Sequence, residues 1–414
     1  MATKDTKKPT YKKSSYAPKK SSGSSYQSKA IKTAKKAVKK NPKAFFIVLL
    51  VILIVVGLGV AAWFLFLKDR VGGGSDPQTS SEPPSTSEPI ITKDAISINF
   101  LELGNWYTGD STFIKAGDVD ILIDAGSRQG SSATIKEFVN QYCTDGKLEY
   151  VIATHAHQDH IAGFVGTKAA PGIFESYKIG ILIDFALTDV TSQLYGNYVA
   201  KRDAALESGD IEHHYTAKDC IEGNNGAQKE YVINESTKMT VLDQKYYYEK
   251  SSDENNYSVC TLFTHGSNHY LFTGDLEKEG EASLVKKNTL PHCQLFKGGH
   301  HGSKTSNTEA LLSKITPENV CICCCCGNDE YTDVDANQFP TQTAINNIAK
   351  YTDKIYVTTI SLDNDKKTYA SMNGIITFKC DDGINYVISG SNNSTILKET
   401  DWFKEHRTWP SDGV

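Results

Sequence analysis

Several absences bound what this chain can be. Residues 1–43 hold a single acid, Asp5, against 14 lysines, and no Leu, Ile or Val precedes Ile31. A segment with so little to bury cannot build a core, so it reads as a disordered basic tail. Ala44 to Leu67 carries no charge over 24 residues. Residues 71–89 lack apolar periodicity and are rich in Gly, Ser, Thr and Pro, which excludes an amphipathic helix and leaves a flexible tether. Once the tail is set aside, the rest of the chain lacks positive charge: 30 basic residues face 48 acidic ones, a balance of −18. A broad electrostatic grip on nucleic acid is therefore not favoured. Histidine is scarce too, 11 in 414 residues, yet three fall between positions 155 and 160.

At helical rise the uncharged run would extend roughly 36 Å, enough to cross a bilayer with some tilt. Trp63 and Phe64 sit near one end, and the lysines lie on the other. Aromatic and positive-inside preferences then put the N-terminus in the cytoplasm and the body outside. The long leading segment argues for an uncleaved anchor over a cleaved signal. Ile31 to Val38 reads either as a short basic helix at an anionic membrane surface or as solvated tail. The expected organisation is a tail over 1–43, a transmembrane helix over 44–67, a linker over 68–92 and an extracellular domain over 93–414.

The domain is organised around Thr154-His155-Ala156-His157-Gln158-Asp159-His160. Tyr150 to Ala153 reads as a buried strand and Gly163 follows, so the motif lies on a strand-to-helix turn. Such a turn can aim alternate side chains at one point. Imidazole and carboxylate together suit zinc, manganese or iron. His155 and His157 face one ion in this reading, Asp159 and His160 a second. A polar loop that is histidine-rich by chance is a poor account of four ligand-type residues within six positions.

Strands are expected at Ile96–Leu103, Ser111–Ile114, Val119–Asp124, Ile179–Ile183, Met239–Leu242, Val259–Thr264, Tyr270–Thr273 and Gln294–Lys297. Helices are expected at Ala133–Gln141, Gln193–Leu206 and Thr341–Lys350, with further strands at Lys354–Thr358 and Gly374–Lys379. Asn268-His269 reads as a hairpin turn. Asp124, at a strand end before Ala125-Gly126, is either a simple turn residue or a partner that holds the metal loop. Asp275, after Thr273-Gly274, can bridge two cations. His300-His301, between glycines, offers a further ligand and a general acid, one from each ring. Ser303, Lys304, Thr305 and Ser306 follow and could grip a phosphate, although Ser306 reads better as a cap for a helix starting near Thr308. Cys321 and Cys323 to Cys326 fall on one strand, Asn319 to Cys326. Neighbouring strand residues point to opposite faces, so these thiols cannot converge on one ion, and they read as small apolar filler. Free thiols in an exported chain imply a reducing setting, with disulfides among the 10 cysteines the alternative.

Taken together these residues resemble the metallo-β-lactamase superfamily, whose His-x-His-x-Asp-His signature Thr154 to His160 matches. More narrowly they resemble the hydrolase domain of ComEC-type DNA-uptake proteins, through Gly109-Asp110-Ser111, Leu122 to Gly126, Asn255-Asn256-Tyr257-Ser258, Thr273 to Glu277 and His300 to Ser306. The pattern is also similar to phosphorylcholine esterases of bacterial cell surfaces. The resemblance spans roughly residues 95 to 380 and implies an αββα four-layer sandwich with two divalent ions, zinc or manganese, at one edge. It assigns His155 and His157 to the first ion, Asp159 and His160 to the second, Asp275 as the bridge, and either His300 or His301 to complete the second site. Asp159 and His301 are the expected catalytic groups, with Asp124, Ser303 and Lys304 behind the ligands or on substrate. One departure stands out. The superfamily often supplies a third histidine to the first ion, and His213, His214, His265 and His269 lie in the right interval without a matching motif. The first ion is then loosely held, completed by water, or absent.

A divalent ion in such a cluster makes water acidic enough to attack near neutral pH. The motif specifies hydrolysis and leaves the substrate open. A phosphodiester comes first, nuclease-like or phosphorylcholine-esterase-like; the acidic body favours a small or wall-linked substrate over long nucleic acid. The rival class is a membrane-tethered, metal-poor binding module of the same fold.

Overall fold

A computed structural model describes residues 95–411. The expected tail, membrane span and linker lie outside the described residues. Among the described residues no helix is long and apolar enough to cross a membrane.

In chain order the elements are β1 (Ile96–Phe100), β2 (Thr112–Ala116), β3 (Val119–Ile123), α1 (Ser131–Val139), β4 (Lys147–Ile152), α2 (Gln158–Val165), the single turn α3 (Ile173–Ser176), β5 (Lys178–Asp184), α4 (Gln193–Ser208), β6 (Ile211–Thr216) and α5 (Ala217–Glu222). The second half continues with β7 (Glu230–Val232), β8 (Thr237–Leu242), β9 (Cys260–His265), β10 (Asn268–Phe272), α6 (Lys278–Lys287), β11 (Leu295–Lys297), α7 (Glu309–Ile315) and β12 (Val320–Cys326). It closes with α8 (Gln342–Ile348), β13 (Ile355–Asp363), β14 (Thr368–Ser371), β15 (Ile376–Cys380), β16 (Tyr386–Gly390) and α9 (Asp401–His406).

Two eight-stranded sheets result, ordered β16-β15-β1-β2-β3-β4-β5-β6 and β14-β13-β12-β11-β10-β9-β8-β7. Each combines antiparallel hairpins with a parallel run, β3 to β6 in the first and β10 to β13 in the second. The parallel strands, such as Lys178–Asp184 with its Ile179, Ile181, Leu182 and Ile183, are apolar on both faces, as strands covered on both sides must be. The sheets face each other through aromatic contacts: Phe100 meets Phe272 at 6.1 Å and Tyr270 meets Phe378 at 5.1 Å between ring centroids. Each fully buried ring contributes roughly 1.5–3 kcal/mol. Ile135, Phe164 and Tyr198 from α1, α2 and α4 join the core of the first sheet, and Leu284, Leu311 and Ile345 from α6, α7 and α8 that of the second. This is the expected αββα sandwich.

Two local expectations change. The β9–β10 turn is Gly266-Ser267, because Asn268 already pairs with His265; Gly266 takes the left-handed backbone (φ 57°) that the tight reversal needs. Ser306 does not cap α7. It donates to Leu276 O at 2.8 Å, and the cap is Glu281 of α6, which accepts from Asn307 N (2.7 Å), Thr308 N (2.8 Å) and Thr308 Oγ1 (2.5 Å). The C-terminal segment forms α9 and presents Arg407, whose side chain donates to Pro340 O, Asp335 O and Gln338 O. The cysteine strand is wholly buried as filler, and all ten cysteines are free thiols.

Candidate metal centre

The centre forms where strands of both sheets end. The His/Asp motif follows β4, Asp124 follows β3, Asp275 follows β10, and His300-His301 follow β11. Ligand sites at the carboxyl ends of parallel strands are a general property of such sheets. Close backbone packing makes the convergence possible. Ala125 N donates to His160 O (2.8 Å) and Asp110 N to Asp159 O (3.0 Å). A Cβ on Gly126 would fall 1.4 Å from Asp159 O, so only glycine fits there.

Three donor atoms lie together, and a fourth lies beside one of them. Asp275 Oδ2 lies 3.1 Å from His160 Nε2 and 3.2 Å from His301 Nε2, and Asp159 Oδ2 lies 3.3 Å from His301 Nε2. Donors on one ion at ~2.0–2.2 Å sit about this far apart. The other nitrogen of each ring is already engaged: His160 Nδ1 donates to Asp124 Oδ2 and His301 Nδ1 to Cys323 O, both at 2.8 Å. These contacts fix the tautomers and turn each Nε2 inward, as metal-ligating histidines require. Asp124 also accepts from Thr154 N (2.7 Å) and Thr154 Oγ1 (2.8 Å), so it holds the motif loop. His301 Nε2 and Asp275 Oδ1 are buried without a hydrogen-bond partner. Unmet donors of this kind, clustered with two carboxylates, fit a divalent ion.

Electrostatics agree. Burial works against charge on His160, but Asp275 and Asp124 outweigh it and hold the imidazolium pKa well above the ordinary range. Burial likewise opposes His301, yet Asp275 and Asp110 raise it to about 10. Burial opposes ionisation of Asp275 as well, and His160 and His301 overcome it. Without an ion, protonated rings balance the carboxylates. His155, by contrast, is held well below its usual range, first by burial and then by His160. Its Nδ1 meets Thr154 Oγ1 at 3.1 Å, and its Nε2 lies 3.1 Å from His157 Nδ1.

His300 and His301 now separate. Both adopt left-handed backbone (φ 48° and 53°), which sends consecutive rings to different places. His301 joins the buried cluster. His300 stays 3.9 Å from Asp275 Oδ2, meets Thr305 Oγ1 at 3.1 Å, and lines a cavity of about 400 Å³ with Arg128, His157, Asp159, Asn255 and Tyr331. Ser303 is bonded to Thr305 Oγ1, and Lys304 reaches outward to Asn337; neither lines this cavity. None of the four histidines proposed as a third ligand reaches the site. His214 is bonded to Asp184 and His213 stacks on Tyr215 in β6; His265 and His269 sit at the opposite end of β9 and β10 from Asp275.

Further residues reach the site. Asp110 and Lys297 form a buried ion pair at 2.5 Å. Asp110 lies behind the rings, 3.8 Å from His160 Nδ1 and 3.6 Å from His301 Nδ1, and so faces away from the Nε2 cluster. Its motif, Gly109-Asp110-Ser111, was the available signal. Tyr331, from the loop after β12, donates its hydroxyl to Asp159 Oδ2 at 2.7 Å. Arg128 lies 3.7 Å over the Tyr107 ring and pairs with Glu330.

The comparisons with known proteins follow this geometry. Residues 104–173 match the family model described as the metallo-beta-lactamase superfamily, a stretch that includes the His/Asp motif and ends before Asp275. That stretch resembles the superfamily, and the buried His/Asp groups of the centre are suited to metal. Parts of the chain are similar to competence proteins. Over 65 residues it is 40% identical to Recombination protein 2 of Haemophilus influenzae, covering 16% of this chain and 8% of that protein. Over 231 residues it is 22% identical to Competence protein ComA of Neisseria gonorrhoeae, covering 54% of this chain and 27% of that one. The matches thus span less than a third of these relatives. Among solved structures, the metallo-beta-lactamase fold protein YhfI from Bacillus subtilis aligns with 65% of this chain and 97% of its own, at 11% identity and a TM-score of 0.37.

Proposed function

We propose that this chain is a metal-dependent hydrolase of phosphoric esters, with phosphodiesters as the first class. The observation that carries the reading is the buried cluster of Asp110, His160, Asp275 and His301, with Asp159 beside His301, next to a cavity that also holds Arg128. His155, His157 and Asp275 would hold a first ion, and Asp159, His160, Asp275 and His301 a second, zinc or manganese. When bound, such ions polarise an ester oxygen and make water acidic enough to attack near neutral pH.

The chain's own residues do the rest. Asp124 and Cys323 O orient the two rings. Tyr331 orients the Asp159 carboxylate. Arg128, stacked on Tyr107, offers a planar guanidinium suited to two phosphate oxygens, with Glu330 holding it until substrate arrives. Burial lowers the pKa of His300, so its ring is neutral and able to hydrogen-bond a substrate or leaving-group oxygen. The cavity suits a small or cell-wall-linked phosphoester better than long nucleic acid. The uncharged run at 44–67 would tether the domain to the membrane with its catalytic face outside.

The test is metal content of the purified protein together with turnover of bis-p-nitrophenyl phosphate and p-nitrophenyl phosphorylcholine. Two ions per chain, and turnover lost in His157→Ala, support the reading. An ion-free chain, or turnover unchanged by that substitution, replaces it with a tethered binding module.

A further inference from the structure

We propose that Asn255 supplies the third protein ligand of the first ion site through its side-chain amide oxygen, beside His155 and His157. The proposal rests on the metal-hydrolase reading of the same site and assigns the ligand that no histidine provides.

Every histidine of the chain lies among the described residues, and those outside the centre are occupied or distant. His214 bonds Asp184, His292 bonds Glu318, and His406 bonds Asp335. Asn255, in contrast, lines the cavity with His157 and Asp275. It is 6% exposed, and its Oδ1 has no hydrogen-bond partner. A buried acceptor left unmet lowers stability unless something meets it when the protein works. The amide orientation is set from the other side, where the side chain lies beside the Glu277 carboxylate and favours its charged form. Only the NH₂ can donate to a carboxylate, so the oxygen is the end left free.

The turn that carries Asn255 is tied to the ligands themselves. Ser258 Oγ donates to Asn255 O (2.7 Å), accepts from Asp275 N (3.0 Å), and lies 3.5 Å from His155 Nδ1. Ala156 N, between the two histidines, donates to Glu254 Oε1 at 3.3 Å. One hydroxyl and one carboxylate therefore fix the Asn255 turn against both ends of the first site. An amide oxygen is a neutral, hard donor. It binds zinc less well than imidazole does and favours oxygen-preferring ions such as Mn²⁺. The two sites then differ in strength: the Asp159/His160/Asp275/His301 site is tight, and the His155/His157/Asn255 site is weaker and harder in character.

The experiment strips the purified full chain with chelator and dialyses it against buffered Zn²⁺ or Mn²⁺ at graded free concentrations. Bound ions are then counted by atomic emission. Wild type is expected to take up one tight and one weak equivalent. Asn255→Ala should weaken the second equivalent roughly ten- to hundredfold or more and leave the first unchanged. Asn255→His should tighten the weak zinc equivalent by a similar factor, a gain that misfolding cannot mimic. Two equivalents with unaltered affinities in both variants, or a single equivalent in wild type, would overturn the assignment of Asn255 while leaving a metal centre standing. No bound ion under any condition would instead overturn the metal-hydrolase reading itself, and Asn255 with it.

Discussion

Replacing Lys297 by Met should destabilise the protein by about 3–5 kcal/mol, the usual cost of leaving one charge of a buried pair uncompensated. Lys297 and Asp110 are 3% and 1% exposed, and their charges approach to 2.5 Å. At an effective dielectric of about 20, that attraction is worth ~7 kcal/mol. Withdrawing both groups from water costs several kcal/mol per ion, so the pair as a whole sits near balance. Removing the cation alone keeps the cost and loses the attraction. Asp110 would retain only the two ring nitrogens at 3.6 and 3.8 Å. Urea unfolding in the presence of chelator, followed by tryptophan fluorescence, measures the loss. The cycle closes with Asp110→Asn and the double variant, which should recover at least half of the Lys297→Met penalty because no lone charge remains. A Lys297→Met variant within about 1 kcal/mol of wild type, or a double variant whose losses simply add, would refute this account of the pair.

Tyr331→Phe removes the hydrogen bond that orients Asp159, so kcat/KM on bis-p-nitrophenyl phosphate should fall roughly ten- to hundredfold, a rise in barrier of about 1.5–3 kcal/mol. Its thermal midpoint should hardly move, because Tyr331 is 54% exposed; a loss of fold without a kinetic effect would contradict the placement. Arg128→Lys should raise KM for anionic diesters and leave an uncharged aryl ester unaffected, since an ammonium cannot reproduce the planar fork; equal effects on both substrates would exclude a phosphate contact. Glu281 carries the pH prediction: burial raises its pKa to about 7, although Thr308 and Asn307 donate to it. A carboxyl whose folded pKa lies above its unfolded value stabilises fully below about pH 4.5, and the contribution fades as pH rises through 7, by up to ~3 kcal/mol. Unfolding free energy measured from pH 5 to 8 should show this decline in wild type, and Glu281→Gln should lack it whatever its starting stability; an identical slope in both would remove Glu281 as the cause.

What the sequence disclosed and what it hid follow from how far apart the participating residues lie along the chain. His155, His157, Asp159 and His160 were legible because one turn delivers them all. Asp124, Asp275 and the histidine pair were legible as polar residues at the ends of apolar strands. Choosing between His300 and His301 needed two successive left-handed residues, which no composition reveals. Tyr331 and Lys297 are single polar side chains on unrelated segments, joined only by the order of the second sheet's strands, whereas Asn255 stood in a legible motif that did not show its place beside the histidines. The Ser306 cap failed for a related reason. A carboxylate from the neighbouring α6 reached the helix start and left the local hydroxyl to another partner.

Arg407 ties the last helix to the loop that carries Tyr331 over the cavity, through Asp335, Gln338 and Pro340. Its guanidinium leaves the ribosome 72 residues after the Asp335 carboxylate it grips. All of the candidate metal-binding residues precede Asp335, so they are synthesised while the roof still lacks its clasp. On a nascent chain the side chains of the basin are thus all present before the residue that clasps its cover.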